Sequence, residues 1–136
     1  MKKDPKNIEA FNELIGVYEG MTFEIIEDAW KKNRWGDGGS VAGDLTGFGT
    51  MDSCRLCIAI EADNQDDCRQ CVYYRRRQHR YMFCCNTGKN QKTYSAIEES
   101  STPEELLEAF KKRAKYLRKN YPEYVKIPCP ENSVSK

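Results

Sequence analysis

The chain has one histidine in 136 residues, so any catalytic arrangement that needs an imidazole would have to be built on His79. That residue sits among Arg76, Arg77 and Arg80, whose charge opposes its protonation, and it reads as a surface histidine. No stretch of about 18 apolar residues occurs, which excludes a membrane-spanning helix. The start, Met1-Lys2-Lys3-Asp4-Pro5, has no apolar stretch of signal-peptide length, so a reducing compartment, the cytoplasm, is expected. Internal repeats, coiled-coil heptads, a P-loop, a nucleophile elbow and a His-Glu-x-x-His zinc site are all missing. Glu98-Glu99 and Asp66-Asp67 are adjacent pairs, which do not face each other as a catalytic dyad must. The expectation is a protein that is not an enzyme and has no membrane segment.

Excess charge is lacking too. There are 22 basic against 21 acidic residues, a net charge of +1. Residues 1–50 hold six basic and nine acidic side chains, and residues 101–136 hold eight and five. So mild a gradient does not by itself support non-specific nucleic-acid binding.

What the chain does have is cysteine. Hydrophobic residues make up 39% and charged residues 32%, so the core of one short domain is thin and a staple is expected. Seven cysteines are present. An odd count in a reducing compartment argues for metal rather than disulfides. Cys54-Arg55-Leu56-Cys57 is followed by Cys68-Arg69-Gln70-Cys71. Each Cys-x-x-Cys turn chelates one edge of a tetrahedron, and two of them close a four-sulfur cage with no open position. Zinc, which has no redox chemistry, suits that cage, and Arg55 and Arg69 offset its charge. An iron–sulfur cluster is the less common use of four cysteines. Cys84 and Cys85 are the alternative ligands, of which at most one would bind because adjacent side chains diverge. Cys129 reads as a free thiol.

Helical periodicity frames this knuckle. Ile8, Phe11, Leu14, Ile15 and Tyr18 predict a helix from Asn7 to Glu19. Thr22 caps a second helix, with Phe23, Ile25, Ile26, Ala29 and Trp30 on its apolar side, ending near Gly36. Six glycines between Gly36 and Thr50 predict a loop, read as a connector rather than a phosphate cradle. Thr93 to Ile97 is expected to be a short strand. Thr102-Pro103-Glu104-Glu105 is a capping box with proline at the first helical position. Leu106, Leu107, Phe110, Ala114, Leu117 and Tyr121 then mark a buried stripe. Lys111, Lys112, Arg113, Lys115, Arg118 and Lys119 are expected on the solvated side, with Glu108 paired to Lys112. Pro122 ends that helix, and the tail 128–136 reads as disordered.

Directly after the second knuckle comes a basic aromatic strip, residues 73–83. Tyr73, Tyr74, Arg75, Arg76, Arg77 and Arg80 would suit DNA or RNA, the arginines pairing phosphate and the rings stacking on bases. The blander reading is a strand or hairpin with its rings inward, its arginines neutralised by Asp63, Asp66 and Asp67.

The order Cys54-x-Leu56-Cys57, Cys68-x-x-Cys71, a cysteine at Cys84 or Cys85, then Thr93-Tyr94 and Thr102-Pro103-Glu104-Glu105-Leu106-Leu107 resembles a group of small zinc-knuckle proteins encoded by bacteriophages and prophages. The likeness spans about residues 22–120 and includes a tryptophan-bearing helix before the first knuckle, as Trp30 would be. Val72 and Phe83-Cys84-Cys85 stand where that group often has a proline and a Gly-Cys segment. No agreed activity comes with the group. The resemblance implies a phage accessory protein in the host bacterial cytoplasm, acting on a host protein (a defence component among the candidates) or on phage nucleic acid.

Together these readings predict a mostly helical α+β domain over residues 1–127: two N-terminal helices, a four-cysteine zinc-knuckle insert at 52–86 with short strands, and a C-terminal helix. The expected function is binding a host protein. A nucleic-acid-binding zinc module is the alternative, and a nucleotide or small-ligand binder or enzyme using the glycine-rich segment is the weaker one.

Overall fold

The computed structural model describes residues 5–33, 36–46, 72 and 88–128. The described residues form five α-helices and one 3-10 turn, with no strand among them. In chain order these are α1 (Pro5–Gly20), α2 (Phe23–Lys32), α3 (Gly38–Thr46), α4 (Gly88–Glu98) and α5 (Pro103–Asn120), then the turn Pro122–Tyr124. The expected α+β class is thereby corrected: the described part is a helical bundle. The residues expected to carry the knuckle strands lie outside it.

The long fifth helix organises the bundle, packing against α1, α2 and α4, with α3 wedged between α2 and α4. Its start follows the sequence closely. Thr102 Oγ1 accepts the Glu105 N–H at 3.2 Å, while Glu105 Oε1 accepts the Ser101 N–H at 2.7 Å. Two otherwise orphaned donors are satisfied this way, with Pro103 needing none. Leu106, Phe110, Ala114, Leu117 and Tyr121 are buried as expected, and Leu107 is half-buried. From α1, Phe11, Leu14, Ile15 and Tyr18 complete the core. Tyr18 stacks on Phe110 at 5.3 Å between ring centroids, and Phe11 meets Tyr121 edge-on at 5.9 Å. Such pairs add to simple burial because ring edges and faces carry opposite partial charge.

The second helix is capped by Thr22, whose Oγ1 accepts the Ile25 N–H at 3.2 Å. It stops at Lys32, short of the expected Gly36, because Asn33 takes an extended conformation and turns the chain. Asn33 then donates to Asp44 Oδ2 at 2.7 Å and accepts the Gly36 N–H at 2.8 Å. This joins the end of α2 to α3, and Gly36, at φ +68°, makes the turn that only glycine makes without strain.

Two expectations fail here for one reason. The glycine-rich segment is helical from Gly38 to Thr46, not a loop, and Thr93–Ile97 is helical, not a strand. Asp37 Oδ1 caps α3 by accepting the Ser40 N–H at 2.9 Å, and Val41 and Ala42 are buried. Gly38 lies so close to α4 that a Cβ there would fall 2.2 Å from the Ile97 carbonyl oxygen. Its N–H donates to Ser100 O at 3.1 Å. Each glycine inside a helix costs about 1 kcal/mol against alanine, and this close seating on α4 offsets the penalty. On α4 itself, a helical turn carries Ile97 into the core and faces Thr93 toward α5. Packing between helices overrides local propensity at both places.

No described helix is long and apolar enough to cross a membrane.

Candidate functional site

All the residues expected to carry chemistry lie outside the described ones. These are Cys54, Cys57, Cys68 and Cys71, the alternatives Cys84 and Cys85, His79, and the strip Tyr73, Tyr74, Arg75, Arg76, Arg77 and Arg80. Among the described residues no group of three or more His, Cys, Asp or Glu is arranged to hold a metal; no cysteine is included in that statement. One residue at the edge of the knuckle is described. Val72, which follows Cys71, is fully buried, and its N–H donates to Asn7 Oδ1 at 2.9 Å. Asn7 is itself fully buried at the start of α1. Val72 is therefore held on the helical core by an apolar side chain and a buried hydrogen bond.

The arginines of α5 behave differently from expectation. Arg113 is not on the solvated side but is 2% exposed, between α4 and α5. Its Nη1 donates to Thr93 Oγ1 at 2.7 Å, and its guanidinium lies 5.5 Å from the centre of the Tyr94 ring. The sequence held a signal for this: Arg113 stands three residues after Phe110 and four before Leu117, on the line of the buried stripe.

Arg118 is turned inward as well. It grips Glu19 of α1 with two bonds, Nε to Oε2 at 2.5 Å and Nη2 to Oε1 at 2.8 Å. Both side chains are 15% exposed. The same guanidinium donates from Nη1 to Ile127 O at 2.9 Å and from Nη2 to Pro128 O at 2.8 Å. Two turns back along α1, Asn12 continues the pattern. Its Nδ2 donates to Tyr124 O at 2.9 Å and its Oδ1 accepts the Lys126 N–H at 2.6 Å. Between them Gly16 leaves room for Ile127, whose Cδ1 would lie 3.7 Å from a Cβ at that position. Asn12, Gly16 and Glu19 follow one line on α1, and with Arg118 they form a cradle. Residues 124–128 lie in it, held mainly through their backbone. Of the tail read as disordered, Pro128 alone is described, and it is held here.

The outer face of α5 carries an open depression of about 350 Å³, lined by Glu104, Leu107, Glu108, Lys111, Lys112 and Lys115. The expected Glu108–Lys112 pair is present at 3.0 Å, with both side chains exposed. Exposed pairs of this kind contribute a few tenths of a kcal/mol, so the face is a solvated one carrying mixed charge.

Comparison with family models, with curated proteins and with solved structures finds no match to this chain.

Proposed function

We propose that this chain is a non-enzymatic phage accessory protein that binds a host protein in the bacterial cytoplasm, with a structural zinc ion on Cys54, Cys57, Cys68 and Cys71. The zinc rests on the chemistry of the donor set. Four thiolates in two Cys-x-x-Cys pairs match tetrahedral zinc and leave no position for a substrate. A cage of this type contributes folding energy, and the buried Val72–Asn7 joint is where the helical core would receive it.

The observation that favours a protein partner over nucleic acid is the inward turn of Arg113 and Arg118. Arginine is the side chain best suited to phosphate, and α5 uses both of its arginines inside the fold. What remains outside are Lys111, Lys112, Lys115 and Lys119, preceded by Glu104, Glu105 and Glu108 at the start of the same helix. This is a poor track for a phosphate backbone. Affinity capture from host lysate, with salt-dependent binding to DNA and RNA measured in parallel, tests the reading. One specific protein partner and no salt-dependent nucleic-acid affinity is the expected result. The opposite pair of outcomes would move the function to the strip 73–83.

A further inference from the structure

The charges on the outer face of α5 are ordered rather than scattered. Glu104, Glu108, Lys111 and Lys115 follow one another at steps of four, three and four residues, so they share one line along the helix. All four are exposed, and Leu107 is half-buried beside them at the open depression. Glu104, Lys111 and Lys115 have no ion-pair partner among the described residues, and the pair that Glu108 makes is with Lys112 of the same helix.

That order is its own complement. The midpoint of the line falls between Glu108 and Lys111. Turning a second copy of α5 about a two-fold axis at that point sets Glu104 opposite Lys115 of the second copy, and Glu108 opposite Lys111. By symmetry each pairing occurs twice, so four pairs of opposite charge form along ~16 Å of helix. A parallel arrangement sets like charges opposite each other and is repelled. Leu107 from both copies borders the seam on one side, and Lys112 from both on the other. With a net charge of +1, whole molecules repel each other little.

We propose that the outer face of α5 pairs, antiparallel, with the same face of a second copy of this chain. The proposal goes beyond the host-protein reading and does not rest on it. One helix face is far smaller than the ~800 Å² per partner that a stable interface buries. The pair is therefore weak and reversible, with a dissociation constant on the order of 0.1–1 mM.

Sedimentation equilibrium of the full chain up to about 1 mM tests this, with helicity followed by circular dichroism. A monomer–dimer equilibrium at low salt, weakened several-fold at high salt, is expected. Lys111→Glu with Lys115→Glu makes the line wholly acidic, and Glu104→Lys with Glu108→Lys makes it wholly basic. Each double variant alone is expected to be monomeric. Mixing them restores all four pairs, and a one-to-one complex at least ~10-fold tighter than either variant's own association is expected. Lys31→Glu with Lys32→Glu, on α2, changes the net charge as much as the acidic variant does and should not pair with the basic one. Lys112→Leu keeps the line and a good helix former, and should tighten the dimer at least ~3-fold; it decides the matter if a double variant loses helicity. A chain that stays monomeric at about 1 mM in low salt overturns the proposal. So does a dimer that these substitutions leave unchanged, or an α2 variant that pairs as well as the acidic α5 variant. Capture of a host protein can succeed or fail without altering any of these results.

Discussion

Polar side chains inside an apolar core are where single residues decide most. Asn7 has no exposed surface and accepts the N–H of Val72. Replacing it by leucine keeps the number and branching of the side-chain atoms and removes the acceptor. A buried donor left without a partner costs about 1–3 kcal/mol, so Asn7→Leu should lower the melting temperature by roughly 5–10 °C for a domain of this size. A melt within 1 °C of the unaltered chain would mean that water reaches this N–H. Thr93→Val makes the corresponding change at Arg113, since it deletes the hydroxyl that Nη1 reaches at 2.7 Å. A charged donor is involved, so a loss of about 2 kcal/mol is expected, read by chemical denaturation. Arg113→Lys should not be the mild change it looks like. An ammonium cannot reach Thr93 and lie along the Tyr94 ring at once as a planar guanidinium does.

Among the elements, α3 tests most directly whether packing overrides propensity. Three of its nine residues are glycine, and two of them should respond in opposite ways to the same substitution. At Gly38 a methyl group would meet the Ile97 carbonyl oxygen at 2.2 Å, so Gly38→Ala must push α3 off α4. A loss of about 2–3 kcal/mol is expected, as for an overpacked core position. At Gly43 nothing lies within 4 Å of the added carbon, so Gly43→Ala should stabilise by about 0.5–1 kcal/mol through helix propensity alone. Two destabilised variants, or two neutral ones, would contradict a helix seated this way. The same element shows the limits of reading the sequence. The starts of α2 and α5 were legible because Thr22 and Thr102 carry their caps in their own local sequence. The stripe of α1 was legible because Phe11, Leu14, Ile15 and Tyr18 recur at helical spacing. Helix α3 was not, because its support comes from Ile97 and Ser100, more than fifty residues away. Thr93–Ile97 was misread for a related reason: what makes it helical is contact with Arg113 on α5. The cradle was invisible as well, since Asn12 and Gly16 gain a role only when residues 124–128 return to α1.

For the whole molecule, the question is how the helical core depends on the proposed zinc. The core is continuous across α1, α2, α3, α4 and α5, with Ile26, Val41, Ile97 and Leu117 all fully buried. Val72 belongs to the same buried cluster, inserted from the sequence that directly follows Cys71. If zinc fixes the two cysteine pairs, its binding energy reaches the helices through that shared contact, and the two parts should not melt independently. Metal binding that exists only in the folded state stabilises the fold by mass action, about 4 kcal/mol when free metal exceeds its dissociation constant a thousandfold. One zinc per chain is therefore expected by elemental analysis. Chelation should lower the melting temperature of the helical signal by roughly ten degrees or more, on the order expected from that energy, with metal release and helix loss in a single transition. Val72→Ala should weaken this coupling, because truncating the buried side chain leaves a cavity at the joint. Chelation would then strip the metal at a lower temperature while the helices melted closer to their own midpoint. A helical melt that ignores chelation altogether would mean that the bundle stands alone, and that Val72 packs against it without carrying energy across.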